Sequence, residues 1–299
     1  MPDFEAHCRH RREHPPALLF KYLKPCVADK ILAGRRFRMS SPLTFNDGAD
    51  ARLDFTSTLR TDRAKEIERR VLMTALADAS SWRNTDDRGM RDGALAHMAV
   101  LAQMRPGRQK RHLGRLISTV TRDERAFEQA AVLLNDMRAR LRILCVTAQG
   151  ASSAMWKKYA DCGRGVAIAI RSAELENACR LPFLKVSYSE HFPDVLHLER
   201  FFESTAYGRD LVGLNVFNKG AADRLVTTKH PRWRGEDEWR MYFIAGRNEH
   251  EQCHDQPFPA EAIDHIVLGP RCSGSDANRW TEMAQQIRSS IEARQAADR

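Results

Sequence analysis

The chain has 299 residues and a formal net charge of +9, and its length suits one large domain or two small ones. Hydrophobic residues make up 42% of the sequence and charged residues 29%, which excludes a wholly disordered or fibrous protein. No stretch approaches the roughly 18 uncharged apolar residues of a membrane helix. The basic N-terminus lacks the apolar core of a secretion signal, so we expect neither membrane insertion nor secretion.

The cysteines and the charge indicate a compartment and a class of partner. Seven cysteines without CxxC spacing favour neither a disulfide framework nor a zinc knuckle, so we expect a reducing cytoplasm. The positive charge attracts phosphate-bearing partners, either nucleic acid or nucleotide. Most basic residues are arginine, whose planar fork suits phosphate, but a GC-rich genome produces the same bias. The sequence predicts no oligomeric state.

Residues 1–17 are predicted to form a flexible basic arm. His7, Cys8, His10 and His14 within it match no standard metal-site spacing. Terminal segments of this composition are commonly solvated tails, so we predict no metal there.

The next part of the chain is predicted to form a strand, a helix, a second strand and a long loop. The apolar run at 18–22 and the alternating stretch at 36–40 have the patterns of strands. Between them, the amphipathic stretch 26–34 ends in glycine, as helices often do. Residues 41–50 are rich in Ser, Pro, Asn, Asp and Gly, all of which stabilise turns.

A helical insert and further strands and helices follow this loop. Residues 62–140 have apolar positions at helical spacing, and we predict helices without a catalytic group there. No domain linker or internal repeat interrupts the rest, so we predict the α+β class, with 18–299 as a single mixed domain around a central sheet. The remaining predicted strands are 142–147, 165–170, 184–188, 236–243 and 265–269, and the predicted helices are 154–161, 194–218 and 276–295.

Common nucleotide-binding and hydrolase motifs are absent from the sequence. No GxGxxG follows a strand and opens a helix, and no P-loop consensus occurs. The HExxH and GxSxG motifs are also absent. The sequence therefore argues against the Rossmann and P-loop classes of nucleotide site.

Two glutamates and an arginine stand at alternate positions in the second half of the chain. If 236–240 lies in a strand, Glu236, Glu238 and Arg240 project from one face, because side chains alternate along a strand. Such a row is either a solvated surface strand, where ion pairs contribute little, or a site where a carboxylate faces developing positive charge. The spacing leaves both readings open.

An aromatic stripe lies on the predicted helix AMWKKYAD. Met155 and Tyr159 share one helical face there, with Trp156 beside them. A stripe of this kind usually packs into a core, but it also forms the wall of pockets that bind a flat ring.

The turn-rich loop contains a further pair of candidates, Asn46 and Asp47. Side chains of this type usually cap their own backbone. In a nucleotide-binding protein the same loop would lie over the ligand.

Several separated segments have a common order and spacing. They are Phe20-Lys21-Tyr22; Ile31-Leu32 through Ser41-Pro42 to Phe45-Asn46-Asp47; Met155-Trp156 to Tyr159 with Gly165-Val166; Trp233 with Glu236, Glu238 and Arg240; and Ile263 through Ile266 to Gly269 and Arg271. Across roughly 18–272 this pattern resembles the bacterial domain of unknown function numbered 2971, with the helical insert unmatched. The sequence departs from that family in having NDGAD for NDPFE, and Thr147 where the family has a serine.

The layout is more distantly similar to ADP-ribosyltransferases, which combine an aromatic-basic first strand, a serine-bearing second strand and a late strand carrying ExE. This resemblance implies an enzyme that cleaves NAD and modifies a protein or nucleic-acid acceptor. It implies that Glu238 is the catalytic carboxylate, which stabilises an oxocarbenium-like state, and that Glu236 positions or deprotonates the acceptor. The residues implied to bind NAD are Lys21, Tyr22, Ser40, Ser41, Asn46, Asp47, Trp156, Tyr159 and Arg240.

Two other functions stay open on the sequence. The arginine-rich surface would hold nucleic acid in a non-catalytic binding module. Alternatively, a divalent metal on Asp47, Asp50, Glu236 and Glu238 would serve a nuclease. A cleft that contains both Lys21 and Glu238 would favour the transferase, whereas a flat basic face would favour the binding module.

Overall fold

The structure is a computed structural model that describes residues 13–45, 47, 50–51, 61–77, 105, 108, 124–191, 193, 195–206, 220–246, 249 and 251–296. No helix within these ranges is both long enough and apolar enough to cross a membrane. The chain divides into two compact units. The first is made of Met1–Arg52, Met137–His191 and Val226–Arg299, and the second of Leu53–Asp136 and Phe192–Leu225.

The second unit is helical in its described parts. The helix Asp62–Ala77 and the helix Leu198–Ala206 pack together, and the Arg70 guanidinium donates a hydrogen bond to the Glu199 carboxylate between them. This unit combines most of the predicted insert with a later stretch of the chain. The prediction of one domain over 18–299, with an insert at 62–140, stays a prediction.

The first unit contains the β-sheet, and its composition of strands and helices confirms the predicted α+β class. Its strands are β1 (Leu18–Leu23), β2 (Arg36–Ser40), β3 (Leu141–Thr147), β4 (Val166–Arg171), β5 (Leu184–Lys185), β6 (Ser187–Tyr188), β7 (Thr228–Lys229), β8 (Glu238–Ile244), β9 (Cys253–Pro257), β10 (Ile263–Leu268) and β11 (Glu292–Gln295). Its complete α-helices are Pro25–Gly34, Ser153–Tyr159, Ser172–Cys179 and Gly274–Ile287, and short 3₁₀ turns occur at Pro42–Thr44 and Pro231–Glu236.

The sheet is mixed, and strand β3 lies at its branching point. On one side the order runs from β3 through β1, β4 and β10 to β11, in which only the β10–β11 pair is parallel. The other edge of β3 pairs along its whole length with β8, which in turn pairs with β5. A small parallel pair, β6 with β7, lies apart from this sheet.

Strands β1 and β2 share one edge of β3 and separate from each other along it. Phe20 of β1 pairs with Thr147 at one end of β3, and Ser40 of β2 pairs with Ile143 near the other end. The opposite edge of β3 is occupied by β8, so both strands must use the same edge. The sheet therefore splits around Cys145, between β1 and β2.

The two faces of the sheet are buried against different side chains. Alternation along β1 places Leu19 and Leu23 in the large hydrophobic core, where Trp280 of the helix Gly274–Ile287 is fully buried. Tyr22 belongs to a second cluster with Trp156. Strand β1 therefore packs against a different apolar cluster on each of its faces.

Most sequence-predicted strands of the sheet are confirmed, but some predicted boundaries are wrong; the strand predicted at 265–269, for example, spans Ile263–Leu268. The strand predicted at 236–243 begins at Glu238, because Glu236 ends a 3₁₀ turn and Asp237 has φ +41°. The stretch 184–188 forms two short strands, β5 and β6, since Val186 lies between them and its N–H bonds to the Glu238 carbonyl. Local alternation does not reveal either break.

The predicted C-terminal helix, 276–295, also ends early. The helix Gly274–Ile287 stops where Arg288 adopts an extended conformation, and 292–295 pairs with β10 as a parallel strand. Glu, Ala, Arg and Gln are good helix formers, so tertiary pairing overrides local propensity here. The helix predicted at 194–218 begins at Leu198, and its part after 206 lies outside the described residues.

Gly269 provides a test of the packing between β10 and β4. A Cβ atom at this position would overlap the Gly163 and Gly165 carbonyl oxygens, whereas one at Gly34 would meet nothing within 4 Å. We expect Gly269→Ala to lower the free energy of unfolding by about 1–3 kcal/mol, as overpacking does. Gly34→Ala, the matched control, should change it little. Urea unfolding measures both, and equal stability of the two variants would contradict this account.

Candidate functional site

A cavity of about 270 Å³ lies in the first unit, where β1 and β2 separate. Its wall combines carboxylates, cations and aromatic rings from widely separated parts of the chain. These residues include Asp47, Asp50, Glu236 and Glu238; Lys21, Arg38, Lys158 and Lys229; and Phe20, Tyr22, Phe45, Tyr159 and Trp233. Pockets that bind small molecules typically place a few polar groups in an aromatic and apolar wall.

Arg240 is buried and pairs with charged residues that line the cavity. Its side chain is fully buried, and it contacts Asp50 in a bidentate pair with distances of 2.9 and 2.6 Å. The same guanidinium donates to Glu238 Oε1 at 2.8 Å and to the Val226 carbonyl at 2.6 Å. Arg240 therefore fixes the turn-rich loop, the start of β8 and the end of the helix Ala221–Thr227 relative to one another.

Lys229 links the two candidate catalytic carboxylates. Its ammonium donates to Glu236 Oε2 at 2.7 Å and to Glu238 Oε2 at 2.6 Å. The ammonium also lies 3.8 Å from Asp50 Oδ2. The side chain of Lys229 is only 7% exposed, so solvent screens these interactions weakly.

Glu236 completes the network on the cavity side. The Lys158 ammonium donates to Glu236 Oε1 at 2.6 Å, and the Tyr159 hydroxyl donates to the same oxygen at 2.7 Å. These two donors come from the helix Ser153–Tyr159, which begins at the cap residue Ser152. Glu236 does not reach this place through the alternation of a strand, because Asp237 has a positive φ. The 3₁₀ turn before β8 positions Glu236 instead.

The cations keep both glutamates ionised. Burial opposes ionisation of Glu238, but Arg240 and Lys229 outweigh it and lower the pKa of Glu238 to about 2. Burial likewise opposes ionisation of Glu236, whose pKa is nevertheless lowered by hydrogen bonds from Lys158 and Lys229. For Tyr159, burial and the bond to Glu236 raise the pKa, so its hydroxyl stays protonated.

Lys21 enters the cavity from the split in the sheet. Its ammonium donates to the Cys145 carbonyl at 2.7 Å, at the part of β3 that neither β1 nor β2 covers. Burial lowers the pKa of Lys21, and Glu238 partly offsets this effect.

Trp233 and Asp47 form another part of the cavity wall. The Trp233 indole N–H donates to Asp47, and Arg232 donates to the same carboxylate at 2.9 Å. The Lys158 ammonium lies 3.2 Å from the centroid of the Trp233 ring, in a cation–π contact. The turn at 231–236 thus holds the loop residue Asp47 beside the cavity.

The structure brings most of the sequence-predicted site residues together. Those that line the cavity are Lys21, Tyr22, Ser40, Asp47, Tyr159, Glu236 and Glu238. Their roles stay predictions.

Three other candidates lie outside the cavity lining. Ser41 is buried, accepts a hydrogen bond from the Leu43 N–H and donates one to the Arg138 carbonyl. Trp156 packs edge-on against the Tyr22 ring, at a centroid distance of 4.7 Å. Arg240 is enclosed in the charged network described above. Asn46 lies outside the described residues.

Sequence reasoning missed several polar residues of the site, among them Lys158, Lys229 and Trp233. Trp233 and Lys158 stand within the segments that resemble the family, but their spacing indicated no role. Lys229 reaches the site because Tyr188 and Lys229 pair in the parallel β6–β7 contact, and the Tyr188 hydroxyl accepts from the Glu238 N–H at 3.0 Å. A long-range pairing of this kind leaves no local pattern.

The carboxylates of the cavity contact cationic side chains or indole and phenol groups. Across the described ranges, no group of three or more His, Cys, Asp or Glu side chains has the arrangement of a metal site. The set Asp47, Asp50, Glu236 and Glu238 therefore does not form a ready-made metal centre, because lysine and arginine occupy the positions between these carboxylates.

Comparison with known families identifies one part of the chain. Residues 155–241 match the family model described as Protein of unknown function (DUF2971), and the resemblance predicted from the sequence is thereby confirmed for this segment. The match covers Lys158, Lys229, Glu236 and Glu238, and leaves out Lys21. No curated protein and no solved structure gives a match. The similarity to ADP-ribosyltransferases stays a prediction.

Arg240 offers a direct test of the charged network. Arg240→Met leaves Asp50 and Glu238 buried without their main partner, and breaking a buried ion pair in this way costs about 3–5 kcal/mol. We expect urea unfolding at neutral pH to show a loss of that size. Arg164→Met removes an exposed pair with Asp161 and should cost about 0–1 kcal/mol. Similar losses in the two variants would contradict the network described here.

Proposed function

We propose that the cavity binds NAD and that the protein is an ADP-ribosyltransferase-like enzyme of the cytoplasm. On this proposal it cleaves the bond between nicotinamide and ribose and transfers ADP-ribose to a protein or nucleic-acid acceptor. The observation that carries the proposal is the convergence of Lys21, Glu236 and Glu238 in one cavity with aromatic walls. These residues come from opposite ends of the first unit's sequence.

Charge development in the reaction fits a fixed anion in the cavity. When the bond between C1′ of ribose and the nicotinamide nitrogen breaks, nicotinamide leaves with the electron pair, and the ribose becomes oxocarbenium-like. Glu238 is held by Arg240 at 2.8 Å and by Lys229 at 2.6 Å, so its carboxylate needs no reorganisation as the cation forms. This preorganisation supports Glu238 as the carboxylate nearest the reacting carbon.

Glu236 is better suited to position the acceptor of ADP-ribose than to act as a base that deprotonates it. Three donors hold its carboxylate, from Lys158, Lys229 and Tyr159, and its pKa is lowered. A carboxylate with a low pKa takes up a proton poorly. We therefore assign Glu236 to orienting the acceptor nucleophile, whose proton passes to solvent after attack.

Lys21 and the aromatic side chains support dinucleotide binding. The Lys21 ammonium bonds to a backbone carbonyl, whereas Lys158 and Lys229 are in ion pairs, so a phosphate at Lys21 would displace no carboxylate. The rings of Phe45, Tyr159 and Trp233 offer flat surfaces to a nicotinamide or adenine ring.

The arrangement of charges around a cavity supports a transferase over the two alternatives. A nucleic-acid-binding module requires an extended basic face, whereas these cations surround a cavity of about 270 Å³ together with four carboxylates. A metal-dependent nuclease requires several carboxylate oxygens around one ion, and here lysine and arginine lie between the carboxylates. Both alternatives remain outcomes of the test below.

Glu238→Gln tests the proposed chemistry. We expect the purified wild-type chain to release nicotinamide from NAD, and the variant to be slower by about 10²-fold or more, the usual effect of removing one electrostatic stabiliser. Because Glu238 lies between Arg240 and Lys229, the variant will also be less stable. Its folding is therefore checked by circular dichroism at the assay temperature, which is set below its unfolding transition.

Glu282→Gln is the matched control, since Glu282 is exposed and lies on the helix Gly274–Ile287. It should release nicotinamide at the wild-type rate. Absence of both NAD binding and nicotinamide release in the wild type, with any protein or nucleic-acid acceptor supplied, would overturn the proposal. Salt-dependent binding of DNA or RNA in that case would identify the binding module, and metal-dependent cleavage would identify the nuclease.

A further inference from the structure

Lys229 contacts both glutamates of the charged network. One ammonium contacts Glu236 at 2.7 Å and Glu238 at 2.6 Å, so the two carboxylates must themselves be close together. All three side chains are nearly inaccessible to solvent. Two like charges at short range in such surroundings cannot both ionise easily, unless a cation lies between them.

Lys229 is one of three cations in the ion pairs around the two glutamates. Asp50, Glu236 and Glu238 provide three carboxylates, and Arg240, Lys158 and Lys229 provide three cations that pair with them. Without Lys229, these three carboxylates would keep two ion-paired cations, Arg240 and Lys158, with Lys21 near Glu238 but bonded to a backbone carbonyl. The cheapest response of a buried cluster with excess negative charge is to take up a proton.

We propose that Lys229 is a positioning residue whose ammonium holds Glu236 and Glu238 together as a pair of ionised carboxylates. The electrostatic part of this proposal concerns the folded protein alone. Its importance for catalysis rests on the proposed function, since an oxocarbenium-like state requires Glu238 as an anion.

Other titratable groups surround the pair, and in the part of the chain that the structure describes none of them hydrogen-bonds to both carboxylates. Cys145 on β3 and Lys21 on β1 face Glu238, while the Tyr188 hydroxyl bonds to its backbone N–H. The remaining neighbours pair with one glutamate each; they are Arg240 with Glu238, and Lys158 and Tyr159 with Glu236. Among the described residues, Lys229 is therefore the cation whose removal affects both.

The pKa directions agree with this geometry. Burial lowers the pKa of Lys229, but Glu238 and Glu236 outweigh burial, so the pKa is raised and the ammonium keeps its charge. Burial opposes the ionisation of both glutamates, and Lys229 is among the groups that nevertheless lower their pKa values.

The pH dependence of unfolding tests the proposal through Lys229→Met. In the wild type both glutamates have lowered pKa values. Their contribution to the free energy of unfolding is therefore present above the unfolded pKa of about 4.3 and is lost only in stronger acid. In the variant, one carboxyl should have a pKa above the unfolded value. Its contribution is then lost as pH rises, because the folded state binds the proton more tightly.

Urea unfolding at pH 4 and at pH 8 gives the unfolding equilibrium constant of each protein. The readout is the constant of Lys229→Met divided by that of the wild type. We expect this ratio to rise by about tenfold or more between those pH values, since one unit of pKa shift corresponds to a factor of ten. A purely structural role, such as the packing of the lysine stem, would give a ratio that does not change with pH. A constant ratio would overturn the proposal.

Two further variants complete the test. Lys185→Met removes a lysine from an exposed ion pair with Glu13, and its ratio should be constant with pH. The double variant Lys229→Met, Glu236→Gln removes the excess carboxylate. The ratio of its unfolding constant to that of the wild type should therefore not rise with pH. If Lys229→Met alone is unfolded at every pH, recovery of folding in the double variant supports the proposal, and failure to recover overturns it.

These measurements contain no NAD, so their outcome is independent of the proposed enzyme activity. Absence of nicotinamide release would reject the proposed function and leave the assignment of Lys229 intact. If the wild type is active, Lys229→Met should also move the acidic limb of its activity profile to higher pH. Lys185→Met should leave that limb unchanged.

Discussion

The contact of Arg240 with Asp50 and Glu238 is the constraint on which the rest of the site depends. A guanidinium that is fully removed from water requires partners for all its donors, and here two carboxylates and the Val226 carbonyl provide them. Because these partners come from the loop after β2, the start of β8 and the helix before β7, the single arginine determines how three segments meet. Lys229 continues this network, because it bonds to Glu238 and to Glu236.

The charged network lines a cavity because β1 and β2 diverge along β3. Two strands that share one edge of β3 leave the Cys145 carbonyl uncovered, and Lys21 bonds to it from the opening. A cluster of apolar residues would stabilise such an interior at lower desolvation cost than six buried or half-buried charges. The cluster therefore suits the proposed function of the cavity better than a role in stabilising the fold.

The sequence predicted the regular parts of this arrangement and missed the parts that depend on tertiary pairing. Alternation along β8 correctly placed Glu238 and Arg240 on one face, because a strand has a fixed two-residue period. Glu236 joins them for a different reason, the positive φ of Asp237, which no hydrophobic pattern reports. Lys229 arrives through the parallel pairing of β6 and β7, two short strands separated along the chain by the helical segments of the second unit.

Calorimetric titration of the full chain with NAD tests the central claim most directly, namely that the split in the sheet is a binding site for an anionic dinucleotide. Wild type and Lys24→Met should bind NAD equally, since Lys24 is exposed and lies next to β1. Lys21→Met should bind at least about tenfold more weakly, because the loss of one charge-assisted bond to phosphate costs about 1.5–3 kcal/mol. Equal affinity of all three proteins, or no binding by the wild type, would contradict the account.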